Sequence, residues 1–164
     1  MMIFPMKKTM TLFAMLFCVF TTTILAQNQP LQTKVPLKRV SYGSNVGAPL
    51  SAKEQMQLEE VYGDKLNEYV LSKPQRLKDI KHLLRNRIEY KRIPNPHDQK
   101  PCPLLSEIPL FNNYVPDLKS DPVFNPQTFN PLKYQFNFYA RGTYMYRVDN
   151  TDYFIIIKSQ HQNF

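Results

Sequence analysis

Hydrophobic residues recur at helical spacing between Ser51 and Tyr90. The sequence Ser-Ala-Lys-Glu at the start of this region is typical of a capping box, in which the side chains of Ser51 and Glu54 accept each other's backbone N–H. A second helix start is indicated at Pro74, because proline has no N–H to leave unpaired in a first helical turn. Two amphipathic helices are therefore expected. Their apolar faces would be Leu58, Tyr62, Leu66 and Tyr69 in one, and Leu77, Ile80, Leu84 and Ile88 in the other.

Alternating hydrophobic and polar residues predict β-strands near the end of the chain. The pattern has a period of two over Lys133–Tyr139 and again over Thr143–Val148. Tyr153–Ile157 is an almost continuous apolar run, as in a strand that is buried on both faces. Asp149-Asn150 between the last two segments is typical of a tight turn. We expect three antiparallel strands connected as a meander.

Most of the chain's 14 prolines lie between these two regions, in Ile93–Leu132. Proline removes a backbone donor and restricts the preceding residue, so long helices and central strands are not expected there. The segment also holds many apolar residues that need cover, which predicts an extended strap over the core; we call Ile93–Leu132 the strap. The predicted fold class is α+β, with two amphipathic helices packed on a small three-stranded antiparallel sheet and a proline-rich extended connector.

Met1–Ala26 has the pattern of a secretory signal peptide. Lys7 and Lys8 precede the apolar run Thr9–Leu25, and Ala26 suits the position before cleavage. A retained membrane anchor is the alternative, because the run approaches the length of a membrane helix. The expectation is export to the periplasm or cell surface, with no stable transmembrane segment after cleavage. A flexible arm over residues 27–50 and a single domain over residues 51–164 would follow, with residues 51–92 helical, 93–132 in the strap and 133–159 in the sheet.

The formal net charge of +8 is concentrated in Lys73–Arg92. A helix over this region would place Lys78, Lys81 and Arg85 on one edge, and Arg92 would join them if the helix extended so far. Such a basic ridge favours an anionic lipid or polymer surface, or an acidic protein partner of the envelope. The alternative is a solvated helix face. Nucleic acid is not an expected partner, because the signal directs the chain elsewhere and no recognised nucleic-acid motif accompanies the charge.

Cys102 would be the one cysteine left after signal cleavage, since Cys18 lies in the apolar run. An odd cysteine in an exported protein suggests a reactive thiol or an intermolecular disulfide. The alternative is a small buried apolar residue. His97 lies nearby, but its spacing from Cys102 matches no known nucleophile–base arrangement. No metal site or cofactor is expected, because paired ligand spacings are missing from the sequence.

These patterns favour a non-catalytic binding or assembly module of the bacterial cell envelope that uses the basic helix. The abundance of Asn, Lys, Tyr, Phe and Ile is typical of an AT-rich bacterial genome. One alternative is a hydrolase of envelope polymers, in which Cys102 and His97, or Asp117 and Asp121, would meet in a cleft. Another is a peripheral protein that binds anionic lipid. Aromatic residues of the sheet region could stack on a glycan or peptide, although they are also typical of a sheet core.

Overall fold

The protein has an α+β fold, as the sequence predicts. A computed structural model describes residues 40–96 and 99–161, so the predicted signal peptide and most of the predicted arm lie outside the described residues. Helices α1 (Ala52–Tyr62) and α2 (Pro74–His82) pack with a three-stranded antiparallel sheet. In the part of the chain described, no helix has the length and hydropathy needed to cross a membrane.

Both predicted helix starts are confirmed. Ser51 Oγ accepts the N–H of Glu54 at 3.2 Å, and Glu54 Oε2 accepts the N–H of Ser51 at 2.8 Å. Pro74 occupies the first turn of α2. Helix α1 ends at Tyr62 and is capped by Gly63, whose positive φ of 49° glycine adopts readily. A π-helical turn at Asn67–Leu71 then leads towards α2.

The helices bury one continuous apolar surface. Leu58 and Val61 of α1 are completely buried, and Val70 of the π-helical turn is buried with them. Ile80 of α2 and Leu83 close the same cluster. Of the predicted stripes, Leu58, Tyr62, Leu66 and Ile80 are buried, whereas Val61 and Val70 are buried residues that the stripes did not include.

The sheet consists of β1 (Ile88–Arg92), β2 (Tyr144–Arg147) and β3 (Tyr153–Ile157). Its strand order is β1-β3-β2, with both pairings antiparallel. The central position of β3 agrees with its apolar sequence, because a central strand covered on both faces needs few polar residues.

The predicted first strand and the predicted end of the second helix are wrong. The helical region ends with a π-helical turn at Leu83–Arg87, and Ile88–Arg92 pairs with β3 as its outer neighbour. The segment 134–139 lies outside this sheet, and its β-bridge among the described residues joins Tyr134 to Leu110. Its alternation records burial rather than strand pairing, since Tyr134 and Phe136 are buried.

The strap covers both parts of the core, as expected. Phe111 and Tyr114 pack against the helical cluster, while Phe124 and Phe129 pack in the cluster of the sheet. Leu104 forms an isolated parallel bridge with Arg147. Residues 97 and 98 of the strap lie outside the described residues.

Residues 42–50, the end of the predicted flexible arm, are bound to the helices. The Tyr42 hydroxyl donates to Asp79 at 2.5 Å, and Val46 is buried. The Arg85 guanidinium donates to the carbonyl oxygen of Pro49 at 2.7 Å and to both carboxylate oxygens of Glu54. One arginine therefore joins this segment to the capped start of α1.

We expect Arg85→Ala to lower the free energy of unfolding by about 3 kcal/mol, because it leaves the mostly buried Glu54 carboxylate without its cation. Urea unfolding followed by circular dichroism measures the change. Arg92→Ala is the control, since the Arg92 side chain is 71% exposed and its ion pair with Asp152 is expected to add nothing measurable. Equal midpoints for the two variants would contradict the structural role of Arg85.

Candidate functional site

Two residues of the predicted basic ridge serve contacts within the fold. Lys81 is only 9% exposed, and its Nζ donates to the carbonyl oxygen of Ala48 at 2.9 Å. The Arg85 side chain is 13% exposed and is bound to Glu54 and to the segment before α1. These two cations therefore offer little free surface to a partner.

The other two ridge residues are exposed but lie on different elements. Lys78 lies on α2, with its Nζ 4.3 Å from the centre of the Tyr42 ring. Arg92 lies on β1, because the helix ends before it, and it pairs with Asp152 at 2.6 Å. The four residues do not form one helical edge, and binding of an anionic partner by Lys78 and Arg92 stays a prediction.

Cys102 is half-buried, and its reactivity stays a prediction. Burial raises the pKa of the Cys102 thiol above its ordinary value of 9.0, against the opposing effect of Arg147. Within residues 40–96 and 99–161 the cysteine forms no disulfide. His97, its predicted companion, lies outside the described residues.

The strap and the β2–β3 turn enclose a cleft with a volume of about 480 Å³. We call it the strap cleft. It combines aromatic and apolar side chains with hydroxyl, amide and carboxylate groups. Its lining is formed by Leu105, Ser106, Ser120, Asp121, Pro122, Val123, Phe124, Phe129, Tyr134, Val148, Asp149, Asn150 and Thr151.

Asp121 and Asp149 supply the two carboxylates of the strap cleft, whereas the predicted partner Asp117 is exposed and is not part of its lining. Asp121 Oδ1 accepts from Lys133 Nζ at 2.8 Å. Asp121 Oδ2 is buried, and no donor among the described residues lies within hydrogen-bond distance of it. A carboxylate oxygen buried without a donor is unfavourable, so this atom is a candidate acceptor for a ligand.

Asp149 is held as an anion at the other side of the strap cleft. It accepts the backbone N–H of Ser106 at 3.0 Å and the Ser106 hydroxyl at 2.5 Å. Burial raises the pKa of Asp149, but the hydrogen bonds from Ser106 outweigh it and hold the pKa below the ordinary value. The carboxylate is therefore suited to accept hydrogen bonds and not to deliver a proton as a general acid.

Aromatic rings form the apolar wall of the strap cleft. The Phe124 ring lies 5.0 Å from that of Phe129, and Phe129 stacks on Tyr134 at 5.3 Å. Phe129 and Tyr134 are buried, whereas Phe124 is partly exposed. Phe124 is therefore the ring that a ligand can reach.

A second cleft of about 240 Å³ lies between the helices and the segment 132–139. Arg76 of α2 is the charged residue of its lining, which is otherwise mostly aromatic and aliphatic. We call it the arginine cleft. Tyr134 lines both clefts and so forms part of the wall of each.

In the part of the chain that the structure describes, no three His, Cys, Asp or Glu side chains lie close enough together to hold a metal ion. Comparison with protein-family models, curated proteins and solved structures found no match. The function of the chain must therefore be inferred from its clefts.

We expect Cys102 to react slowly with iodoacetamide at pH 8, because its burial keeps the thiolate fraction below that of a free cysteine. Mass spectrometry of timed samples measures the rate against glutathione, and urea-unfolded protein gives the fully accessible rate. A native rate above that of glutathione would contradict this account and support a reactive thiol.

Proposed function

We propose that this chain is a non-catalytic binding module of the bacterial cell envelope, exported by its signal peptide, that binds a glycan in the strap cleft. The export and envelope parts rest on the pattern of Met1–Ala26. The binding part rests on the chemistry of the strap cleft.

The buried Oδ2 of Asp121 carries the proposal. A sugar hydroxyl would give this oxygen the donor that the described residues do not supply. Ser106, Ser120, Asn150 and Thr151 add further polar groups to the same lining. Phe124 offers an aromatic surface on which the apolar face of a sugar ring can rest. Polar groups beside an accessible ring suit a polyhydroxylated ligand better than a purely apolar one.

The chemistry of the cleft favours binding over hydrolysis. Glycoside hydrolysis by two carboxylic acids needs one of them protonated as a general acid. The lowered pKa of Asp149 works against that role. Asp121 is held in an ion pair with Lys133 at 2.8 Å and is therefore already engaged within the fold.

The strap cleft is also a better candidate for the binding site than the basic helix. Lys81 and Arg85 are bound to the fold, so Lys78 and Arg92 are the exposed members of the four predicted ridge residues. These two cations lie on different elements and do not form one charged edge.

The test is isothermal titration calorimetry with soluble glycan strands released from bacterial peptidoglycan. We expect binding that Phe124→Ala weakens and that Asp121→Asn weakens about tenfold or more, because a hydrogen bond to a charged group is lost. Tyr144→Ala is the matched control, since it removes an exposed ring of β2 outside the cleft lining. Thermal unfolding of each variant shows whether it is folded.

Absence of heat with the unmodified protein would contradict glycan binding. Equal weakening by Phe124→Ala and Tyr144→Ala would place the ligand outside the strap cleft. Release of reducing ends during the titration would replace the binding proposal with the hydrolase.

A further inference from the structure

Arg76 occupies an unusual position for a basic residue of this chain. It lies on α2, half-buried, and lines the arginine cleft together with Ile80 and Leu83 of the helical core. On the opposite side the cleft is bounded by Phe136 and Phe138. The guanidinium is therefore placed among apolar side chains rather than on the solvated face of the helix.

No carboxylate neutralises Arg76 among the described residues. Its Nη2 donates to the Tyr62 hydroxyl at 3.2 Å, and its Cζ lies 5.8 Å from the centre of the Tyr62 ring. Its Nε is buried and has no acceptor in that part of the chain. Arg85 and Lys133, by contrast, each bind a carboxylate.

This arrangement is costly without a ligand. Taking a guanidinium out of water is unfavourable unless an anion and further hydrogen bonds compensate for the lost hydration. A tyrosine hydroxyl and the face of a ring supply only part of that compensation. A carboxylate would bind the guanidinium through charge-assisted hydrogen bonds and could accept from Nε.

The other residues of the arginine cleft determine which chemical group the ligand must carry in addition to its carboxylate. Its aliphatic and aromatic walls favour an apolar group, since burying that group removes apolar surface from water. The volume of 240 Å³ is just below the range of about 300–1,000 Å³ found for drug-sized ligands, so the ligand must be small. A monocarboxylate with a short apolar tail meets both conditions.

We infer that the arginine cleft is a binding site for a medium-chain fatty acid, with the carboxylate on Arg76 and the tail among Ile80, Leu83 and Phe138. This site differs from the proposed glycan site, because the strap cleft contains none of these residues, although Tyr134 lies in the wall of both clefts. Failure of either proposal therefore leaves the other intact.

The experiment is isothermal titration calorimetry of the purified protein with octanoate, 1-octanol and acetate, each below the concentration at which it aggregates. Octanoate is expected to bind at least tenfold more tightly than 1-octanol, which has the tail without the carboxylate. Acetate, which has the carboxylate without the tail, is expected to give no detectable heat. The comparison is made on the unmodified protein and depends on no variant.

Two variants then locate the carboxylate. Arg76→Met keeps an unbranched apolar stem in place of the guanidinium, and it is expected to reduce octanoate binding to the level of 1-octanol. Lys78→Gln, which removes the same charge from an exposed position of α2, is expected to leave octanoate binding unchanged. Arg76→Met should also keep or raise the urea midpoint of the ligand-free protein, because it removes a partly desolvated charge.

Equal binding of octanoate and 1-octanol by the unmodified protein would overturn the inference. So would a preference for octanoate that survives in Arg76→Met, or that Lys78→Gln abolishes equally. Adding the glycan strands during an octanoate titration distinguishes the sites, since independent clefts predict no competition.

Discussion

The buried ammonium group of Lys133 joins the elements on which the rest of the structure depends. Its Nζ binds Glu60 of α1 at 3.0 Å and Asp121 of the strap at 2.8 Å, while the residue is only 4% exposed. The backbone carbonyl oxygen of Lys133 accepts the N–H of Phe111 at 2.7 Å, which adds a second contact with the strap. Burial lowers the pKa of Lys133, but the hydrogen bonds to Asp121 and Glu60 outweigh it, so the pKa is raised and the group stays charged.

Local sequence rules predicted the features that neighbouring residues determine. The Ser51 capping box and the start of α2 at Pro74 each depend on a few adjacent residues, and both are present. The identity of the third strand depends on distant contacts. Ile88 suits a helical stripe and a strand equally, and its pairing with Ile157 decided between them. The segment that begins at Tyr134 alternates between buried and exposed residues, as predicted. Burial against the strap, however, produces the same pattern as burial in a sheet.

The candidate sites were harder to predict, because a charge pattern in the sequence shows which residues are charged and not which groups they contact. Lys81 and Arg85 look like surface cations in the sequence, yet the segment before α1 covers them. Arg76 belongs to the same basic run and differs in having a buried Nε without an acceptor among the described residues, which no spacing rule reveals. Asp121 and Asp149 share a cleft although the chain separates them widely. The strap creates this shared cleft, since it brings Ser106 and Asp121 to the β2–β3 turn that carries Asp149.

The most direct test of this account is hydrogen–deuterium exchange of Lys133→Met, which removes the buried cation while keeping an apolar side chain of similar length. We expect faster exchange in residues 119–124, with exchange in the region around Arg85 and at the start of α1 unchanged. Lys158→Met is the control, because it removes a cation whose ion pair with Glu89 is partly exposed. Exchange in residues 119–124 equal to that of the control would contradict the central role of Lys133.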